Sequence, residues 1–328
     1  MDLHGKNVLL IAPKFFGYDA DIANELRRRG AQVDFIRDRP FDSAIMMAMT
    51  RIARTSVMPF VDRLYTRQLE GFGRSRYDLI LVVNGQTLSG RLLAQLRTSY
   101  PESSLVLYLW DSVANRTSTL RNMGQYDSIY SFDQTDSKTF GLQHRPLFYS
   151  PAFSNHAETN QDIDISFIGT AHTDRAFIVN EIDRLLPQTS KRFWYLYLQA
   201  PWVFMAYKLT NPSFRRTRFD QFSFTPLNRK TVQSVFSRSK AILDIEHPRQ
   251  TGLTIRTFET LGSRKKLVTT NRVAIETDFY HQSNIHVIDR KNPKIRREFT
   301  EEPYEVLSDY IYNKYSISGW TEEILSGL

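Results

Sequence analysis

Residues 241–262 read AILDIEHPRQTGLTIRTFETLG, and this stretch decides the architecture. Residues 241–245 form a short apolar run, the pattern of a strand buried on both faces in a parallel sheet. A polar loop follows, after which Ile255, Phe258 and Leu261 recur at helical spacing. A helix beginning near Leu253 would aim its free amides and positive dipole end at that loop, which makes an anion site. Ligands of open α/β sheets bind beyond the carboxyl ends of the strands. That position holds His247, Gln250, Thr251, Gly252, Leu253 and Thr254. Gly252 permits close backbone approach, Arg256 offers a charge-assisted bond to phosphate, and Glu259 can accept hydrogen bonds from a ribose diol. Each residue also has a plainer role, since Thr-Gly can merely cap a helix and Arg256 and Glu259 can form a surface i,i+3 pair. Their co-location behind a buried strand favours binding.

Working outward, the same strand–loop–helix unit recurs. Residues 6–13 form an apolar run ending at Pro13. Ile22 and Leu26 lead to Arg27, Arg28, Arg29 and Gly30, which read as a helix with cations in its last turn and a glycine stop. Residues 31–37 form a second strand, completing a β-α-β opening. Strands at 77–84, 104–110 and 128–132, with a helix at 88–100, continue the alternation, and 147–150 leads out of the domain. Residues 154–162 read as a polar linker. The pattern then restarts with strands at 163–169, 192–198, 241–245, 266–269 and 285–288, and helices at 174–186, 227–237 and 254–261. Helical patterns at 304–312 and 320–325 close the chain. Alternating strands and helices imply parallel sheets covered on both sides. The expected domains are 1–153 and 163–315, with 316–328 as a terminal helix. Two segments interrupt the rhythm. Residues 41–69 are long and helical in pattern, and 193–224 run an aromatic cluster into a basic one; both suit either ordinary core or a surface for a membrane or amphipathic acceptor.

The chain has 328 residues, 41% of them hydrophobic and 24% charged, which suits two folded domains. It has no cysteine, which excludes thiolate chemistry and cysteine-based zinc sites and fits a reducing compartment. The amino-terminal apolar run is too short for a signal peptide, and no stretch approaches the roughly 20 apolar residues of a membrane span. A cytoplasmic protein is expected, with peripheral contact at the inner face of the membrane left open. The formal charge of +8 favours anionic partners without selecting among them.

The loop-and-helix element carrying Gly252, Arg256 and Glu259 resembles the donor site of GT-B glycosyltransferases, particularly the bacterial surface-polysaccharide and CgeB-like group, whose helix bears an R-x-x-E element. The resemblance implies an α/β chain of two Rossmann-like domains facing across a cleft, with the last helix crossing back to the first. It implies a nucleotide-sugar co-substrate on the second domain, an acceptor on the first, and no separate cofactor. Position 251 would carry the first acid of the E-x7-E spacing of many retaining enzymes, but Thr251 stands there.

Gly169, Thr170 and His172, in the first strand-to-helix loop of the second domain, form a second donor-side group: glycine and threonine to approach a diphosphate, histidine to polarise it. An ordinary turn fits them equally. Inverting transfer needs a base for the acceptor hydroxyl and a positive environment for the leaving group. The resemblance places that base just after the first strand, at Asp19 with Asp21 behind it, or else at Asp111. Gly17, Tyr18, Asn84 and Gln86 are the acceptor-side candidates. The D-x-D strings at 19–21 and 162–164 open a helix and a strand, so no metal site is expected. The expected function is transfer of a sugar to a surface-glycan acceptor such as lipopolysaccharide or capsule, inverting and metal-independent. The alternatives are a GT-B-type nucleotide-sugar epimerase or a basic nucleic-acid-binding protein, suggested by the charge and by FRRTRF at 214–219. A dehydrogenase is disfavoured because APKFFGYDA lacks G-x-G-x-x-G.

Overall fold

The computed structural model describes residues 2–39, 54–113, 117–154 and 160–326. The chain forms two compact units, residues 1–147 with 317–328, and residues 148–316. Part of the expected 41–69 helix, residues 41–53, and part of the expected linker, residues 155–159, lie outside the described residues.

Unit 1 contains strands β1 (Asn7–Ala12), β2 (Gln32–Arg37), β3 (Leu79–Val83), β4 (Ser104–Leu109), β5 (Ser128–Ser131) and β6 (Gln143–His144). They form one sheet, in the order β2-β1-β3-β4-β5-β6, and every pairing is parallel. The connecting helices are α1 (Tyr18–Arg28), α2 (Arg54–Phe72), α3 (Gly90–Ser99), α4 (Thr117–Leu120) and α5 (Gln134–Phe140). The central strands are continuous apolar runs because helices cover both faces; all five residues of β3 are buried. α1 carries Asp19 and Asp21 in its first turn and Arg27 and Arg28 in its last, matching its dipole. It ends at Gly30, whose φ of +97° closes the turn and whose missing Cβ leaves room for His4.

Unit 2 contains β7 (Ile163–Thr170), α6 (Arg175–Leu185), β8 (Arg192–Tyr197), α7 (Pro201–Thr210), β9 (Phe222–Ser223), α8 (Arg229–Arg238) and β10 (Ser239–Asp244). α9 (Ile255–Gly262), β11 (Lys266–Thr269), β12 (Ile285–Val287) and α10 (Asp309–Lys314) complete it. Its sheet runs β12-β11-β10-β7-β8-β9, again all parallel. Counted from β7, this is the strand order 3-2-1-4-5-6 of the dinucleotide-binding fold. The segment 148–153, read from the sequence as the end of the first domain, lies with unit 2. The Tyr149 amide donates to the Tyr315 carbonyl at 2.9 Å, and the Tyr149 ring lies where a Cβ on Gly262 would be, 2.5 Å from the nearest ring carbon. The helix expected at 304–312 begins later, at Asp309, with Ser308 as its side-chain cap.

The last helix, α11 (Ile317–Leu325), returns to unit 1. Arg29, which caps the end of α1, donates to the Ser318 carbonyl at 2.7 Å while its Nε holds the buried Glu25 at 2.8 Å. Burial alone would raise the Glu25 pKa, but Arg28 and Arg29 bring it below its usual range. Trp320 is wholly buried, edge-on to the Tyr108 ring at 4.8 Å, and Glu323 pairs with the buried Arg145 at 3.1 Å. The helix α11 is thus part of the core of the first unit. Trp320→Ala is expected to destabilise unit 1 by about 3–5 kcal/mol, read as an earlier transition in urea unfolding followed by tryptophan emission and circular dichroism. An unfolding curve unchanged by the substitution would show that α11 contributes nothing to that core.

Candidate functional site

In unit 2 the crossovers from β7 and β10 leave the sheet in opposite directions, since β8 lies beyond β7 and β11 beyond β10. The loops after these neighbouring strands diverge and leave a crevice, the position where such sheets bind ligands. Asp244, the last residue of β10, is buried and accepts from Thr254 Oγ1 at 2.7 Å and Thr257 Oγ1 at 2.9 Å. The Thr254 oxygen also accepts the Arg256 amide at 3.0 Å, capping α9. The helix therefore starts at Ile255, with Thr254 as its cap, rather than near Leu253, and Thr254 serves the framework. Gln250 donates to the Gly252 carbonyl at 2.9 Å, and Asn271 Nδ2 reaches the carbonyls of Thr251 and Gly252, both at 3.2 Å. The loop is thus held from both sides. Leu253 is buried beneath it.

On the other side of the switch point, Gly169 and Thr170 end β7. A Cβ on Gly169 would lie 2.8 Å from the Phe167 ring, so packing alone explains the glycine. Arg175, in the first turn of α6, donates to the Ile245 carbonyl at 2.7 Å and the Thr170 carbonyl at 3.1 Å, bridging the two strand ends. Arg290, after β12, donates to both oxygens of Asp174 at 2.8 Å, to Glu246 Oε1 at 2.9 Å and to the Glu246 carbonyl at 2.5 Å. Thr270 gives Glu246 a further hydrogen bond. Burial nevertheless raises the Glu246 pKa above its ordinary value.

His172 and His247, proposed from separate loops, come together with ring centroids 5.6 Å apart. Burial, then the Arg175 charge and His247, push the His172 pKa down to about 4. Burial, then Arg249 and Arg175, lower that of His247. Both imidazoles are therefore neutral near pH 7, each with one N–H to donate. The guanidiniums that depress them are the charges an entering anion would meet.

Arg256 and Glu259 are also brought together, but with each other. Their side chains pair at 2.6 Å, Glu259 is buried, and the Arg256 guanidinium lies over the Phe236 ring at 4.8 Å with a weaker bond to the Ile168 carbonyl. The expected surface pair is thus a largely buried one, because Phe236 of α8 covers it.

In unit 1 the corresponding switch point lies between β1 and β3. The loop after β1 carries Phe16 at φ 46° and Gly17 at φ 80°, and it exposes the rings of Phe15 and Phe16. A left-handed phenylalanine is strained backbone. Gly17 is the cap position of α1, and Asp19, in the first turn, turns its carboxylate back to accept the Phe15 amide at 3.4 Å. Asp111 accepts the Ser112 amide at 3.0 Å beyond β4. It stands near Asp136, whose pKa is raised by burial, then by Asp133 and Asp111. Tyr18 is buried, and Asn84 spends its side-chain oxygen on the Trp110 amide at 3.1 Å. These two acceptor-side candidates are framework residues. The Gln86 amide donates to Asp38 at 2.9 Å, as do the Thr87 amide and hydroxyl at 3.0 and 2.8 Å. Of the D-x-D strings, Asp162 pairs with Arg238 and Asp164 with Lys240.

Sequence reading missed Asp38, Thr87, Asp174, Arg175, Asn271 and Arg290. Asp174 and Arg175 lie two and three positions after the singled-out His172 and were legible as strand-end neighbours; Arg290 stands in DRKNPK with nothing to mark it.

No family model and no curated protein matches the chain. Solved structures do. OtsA in its apo form superimposes with a TM-score of 0.63 at 11% identity over 98% of each chain. Anabaena HepE in complex with UDP and glucose gives 0.56 at 12% identity, covering 99% of this chain and all of that one. UDP-GlcNAc 2-epimerase from Neisseria meningitidis bound to UDP-GlcNAc gives 0.56 at 10% identity, covering 98% of this chain and 99% of that one. At such identities the likeness is one of fold, and the fold is GT-B: two Rossmann-like domains built on parallel sheets.

Proposed function

We propose that the chain is a glycosyltransferase that takes a sugar from a nucleotide-sugar donor bound at the β7–β10 switch point. The observation that carries this reading is the pair of neutral histidines, His172 and His247, set among Arg175, Arg249 and Arg290 at that crevice. A diphosphate gains charge as the glycosyl bond breaks, and fixed N–H donors and guanidiniums stabilise that charge without reorganising. HepE holds UDP and the epimerase UDP-GlcNAc, so uridine nucleotides are the first donors to test. Gly169, Thr170, Gln250, Thr251 and Gly252 are assigned to the diphosphate and Arg256 and Glu259 to the nucleoside side, the latter pair parting or sharing its bonds when a ribose arrives.

The reaction assigned is direct displacement with inversion and without a metal. The acceptor hydroxyl oxygen forms the new bond to the anomeric carbon, its proton passes to Asp19, and the nucleoside diphosphate leaves. Asp111 is the alternate base, and the acceptor is a surface glycan such as lipopolysaccharide or capsule. The narrower CgeB-like grouping rests on the R-x-x-E element alone.

Thermal-shift measurements with UDP, GDP, CMP and dTDP test the donor site. One nucleotide at about 100 times its Kd should raise the melting temperature by roughly 4–10 °C; no response to any of them would remove the site. Asp19→Asn should lower kcat by at least about 100-fold with nucleotide binding unchanged, and full activity in that variant would move the base to Asp111.

The pH dependence follows from His172. Its pKa is about 4 when folded against 6.5 ordinarily, so its contribution to stability is complete above pH 6.5 and is lost as pH falls toward 4. A bound diphosphate offsets the nearby guanidiniums and raises that pKa, so nucleotide affinity should increase from pH 7 to pH 5.5. Imidazole titration by NMR reads this directly. An unchanged His172 titration with nucleotide bound would exclude it from the donor contacts.

A further inference from the structure

α7 has the sequence PWVFMAYKLT and carries apolar residues on both faces. Its inner face is satisfied: Phe204 packs against Phe222 at 5.2 Å and Tyr207 against Phe214 at 4.9 Å. Trp202, Met205 and Leu209 lie opposite, 71%, 60% and 87% exposed. Their spacing puts them along one side of the helix. A helix that only had to cover its own sheet would carry polar residues there. After α7 the chain turns through Pro212–Phe214 and exposes Arg215, Arg216 and Arg218. Arg218 is paired with Asp220, and Lys208 is spent on the Arg215 carbonyl at 2.9 Å. The Arg215 and Arg216 side chains make no hydrogen bond or ion pair among the described residues.

A second copy of the chain fits this surface poorly. Three side chains fall well short of the roughly 800 Å² per partner of a stable interface, and a two-fold contact through so small a patch draws the arginines of both copies together. An anionic bilayer matches both parts. Tryptophan and aliphatic side chains enter the headgroup–acyl boundary while arginines pair with lipid phosphates. The overall charge of +8 adds long-range attraction to the same surface. We propose that the exposed face of α7 is a membrane-docking surface, with Trp202, Met205 and Leu209 entering an anionic lipid bilayer and Arg215 and Arg216 pairing with its phosphates. Docking is independent of the nucleotide site.

Co-sedimentation of the full chain with vesicles of phosphatidylcholine and phosphatidylglycerol in equal parts, at low salt, tests this. The protein should bind these vesicles, bind pure phosphatidylcholine weakly, and be released by 0.5 M NaCl. Its tryptophan emission should shift to the blue and be quenched by acyl-brominated lipid, and Trp202→Phe should abolish that quenching while most binding remains. The combined W202S, M205S and L209S variant should bind at least tenfold less. Arg215→Ser and Arg216→Ser should each cost roughly fivefold. All five side chains are exposed, so melting temperatures should stay at the wild-type value. If the triple variant folds poorly, the arginine variants and the Trp202 quenching still decide. Absence of binding to the anionic vesicles overturns the proposal. So does binding by the folded triple variant equal to wild type together with no lipid quenching of Trp202 in the wild-type protein, which is adsorption by net charge alone. A dimer abolished by Leu209→Ser in a protein that ignores vesicles would instead give the face to a second copy.

Discussion

Arg290 joins chain segments that the sheet alone leaves apart. Its guanidinium holds Asp174 after β7 and both the carboxylate and the carbonyl of Glu246 after β10. These carboxylates are largely shielded from water, and removing the arginine would leave them as uncompensated charges, a loss of about 3–5 kcal/mol for a buried pair. Such a network adds little stability over an apolar substitute, but it fixes geometry. Glu246 shows the tension: burial still raises its pKa despite Arg290 and Thr270. With both loops pinned, His172 and His247 are held side by side, their rings tilted by 45° at 5.6 Å, before any ligand arrives, which is the condition for electrostatic preorganisation.

Unit 1 ties its strand ends with a carboxylate, as Asp244 does in unit 2. There Asp38 gathers the amides of Gln86 and Thr87 and the Thr87 hydroxyl, so a carboxylate ties β2 to the loop after β3. Asp19, Asp111, Asp133 and Asp136 stand at the other strand ends of that unit. Acids therefore stand near the strand ends of both units, and in unit 2 Arg175 and Arg290 stand among them.

The β-α-β rhythm was legible because buried parallel strands are continuous apolar runs, as in residues 6–13 and 241–245, which need no tertiary context to recognise. β6 and β9 escaped because each is only two residues long, with Gln143 and His144 polar and exposed. The loop at 246–254 was visible as a site, but the roles within it were not. Thr254 and Gly169 are fixed by what packs on them, Asp244 and the Phe167 ring, and a linear pattern does not show such neighbours. Arg256 and Glu259 read as an i,i+3 pair from spacing alone; only the fold brings Phe236 over them. Arg290 was out of reach, since its meaning comes from Asp174 and Glu246, which are distant in sequence.

The stereochemical assignment gains most from counting committed carboxylates. A retaining transfer through a covalent intermediate needs an acid free to act as nucleophile on the donor side. In the described loops at the switch point, Asp174 is held by Arg290, Glu246 by Arg290 and Thr270, and Asp244 by Thr254 and Thr257. Glu259 is paired with Arg256 on the side covered by α8. Position 251, where many retaining enzymes carry an acid, offers a threonine whose carbonyl is fastened by Asn271. Each of these acids is already spent on the architecture that holds the loops, and a carboxylate held by a guanidinium or by two hydroxyls is a weakened nucleophile. The carboxylates at this switch point therefore serve to hold the loops. A covalent glycosyl-enzyme intermediate finds no uncommitted carboxylate among these described residues, and the proposed reaction accordingly runs by direct attack of the acceptor oxygen.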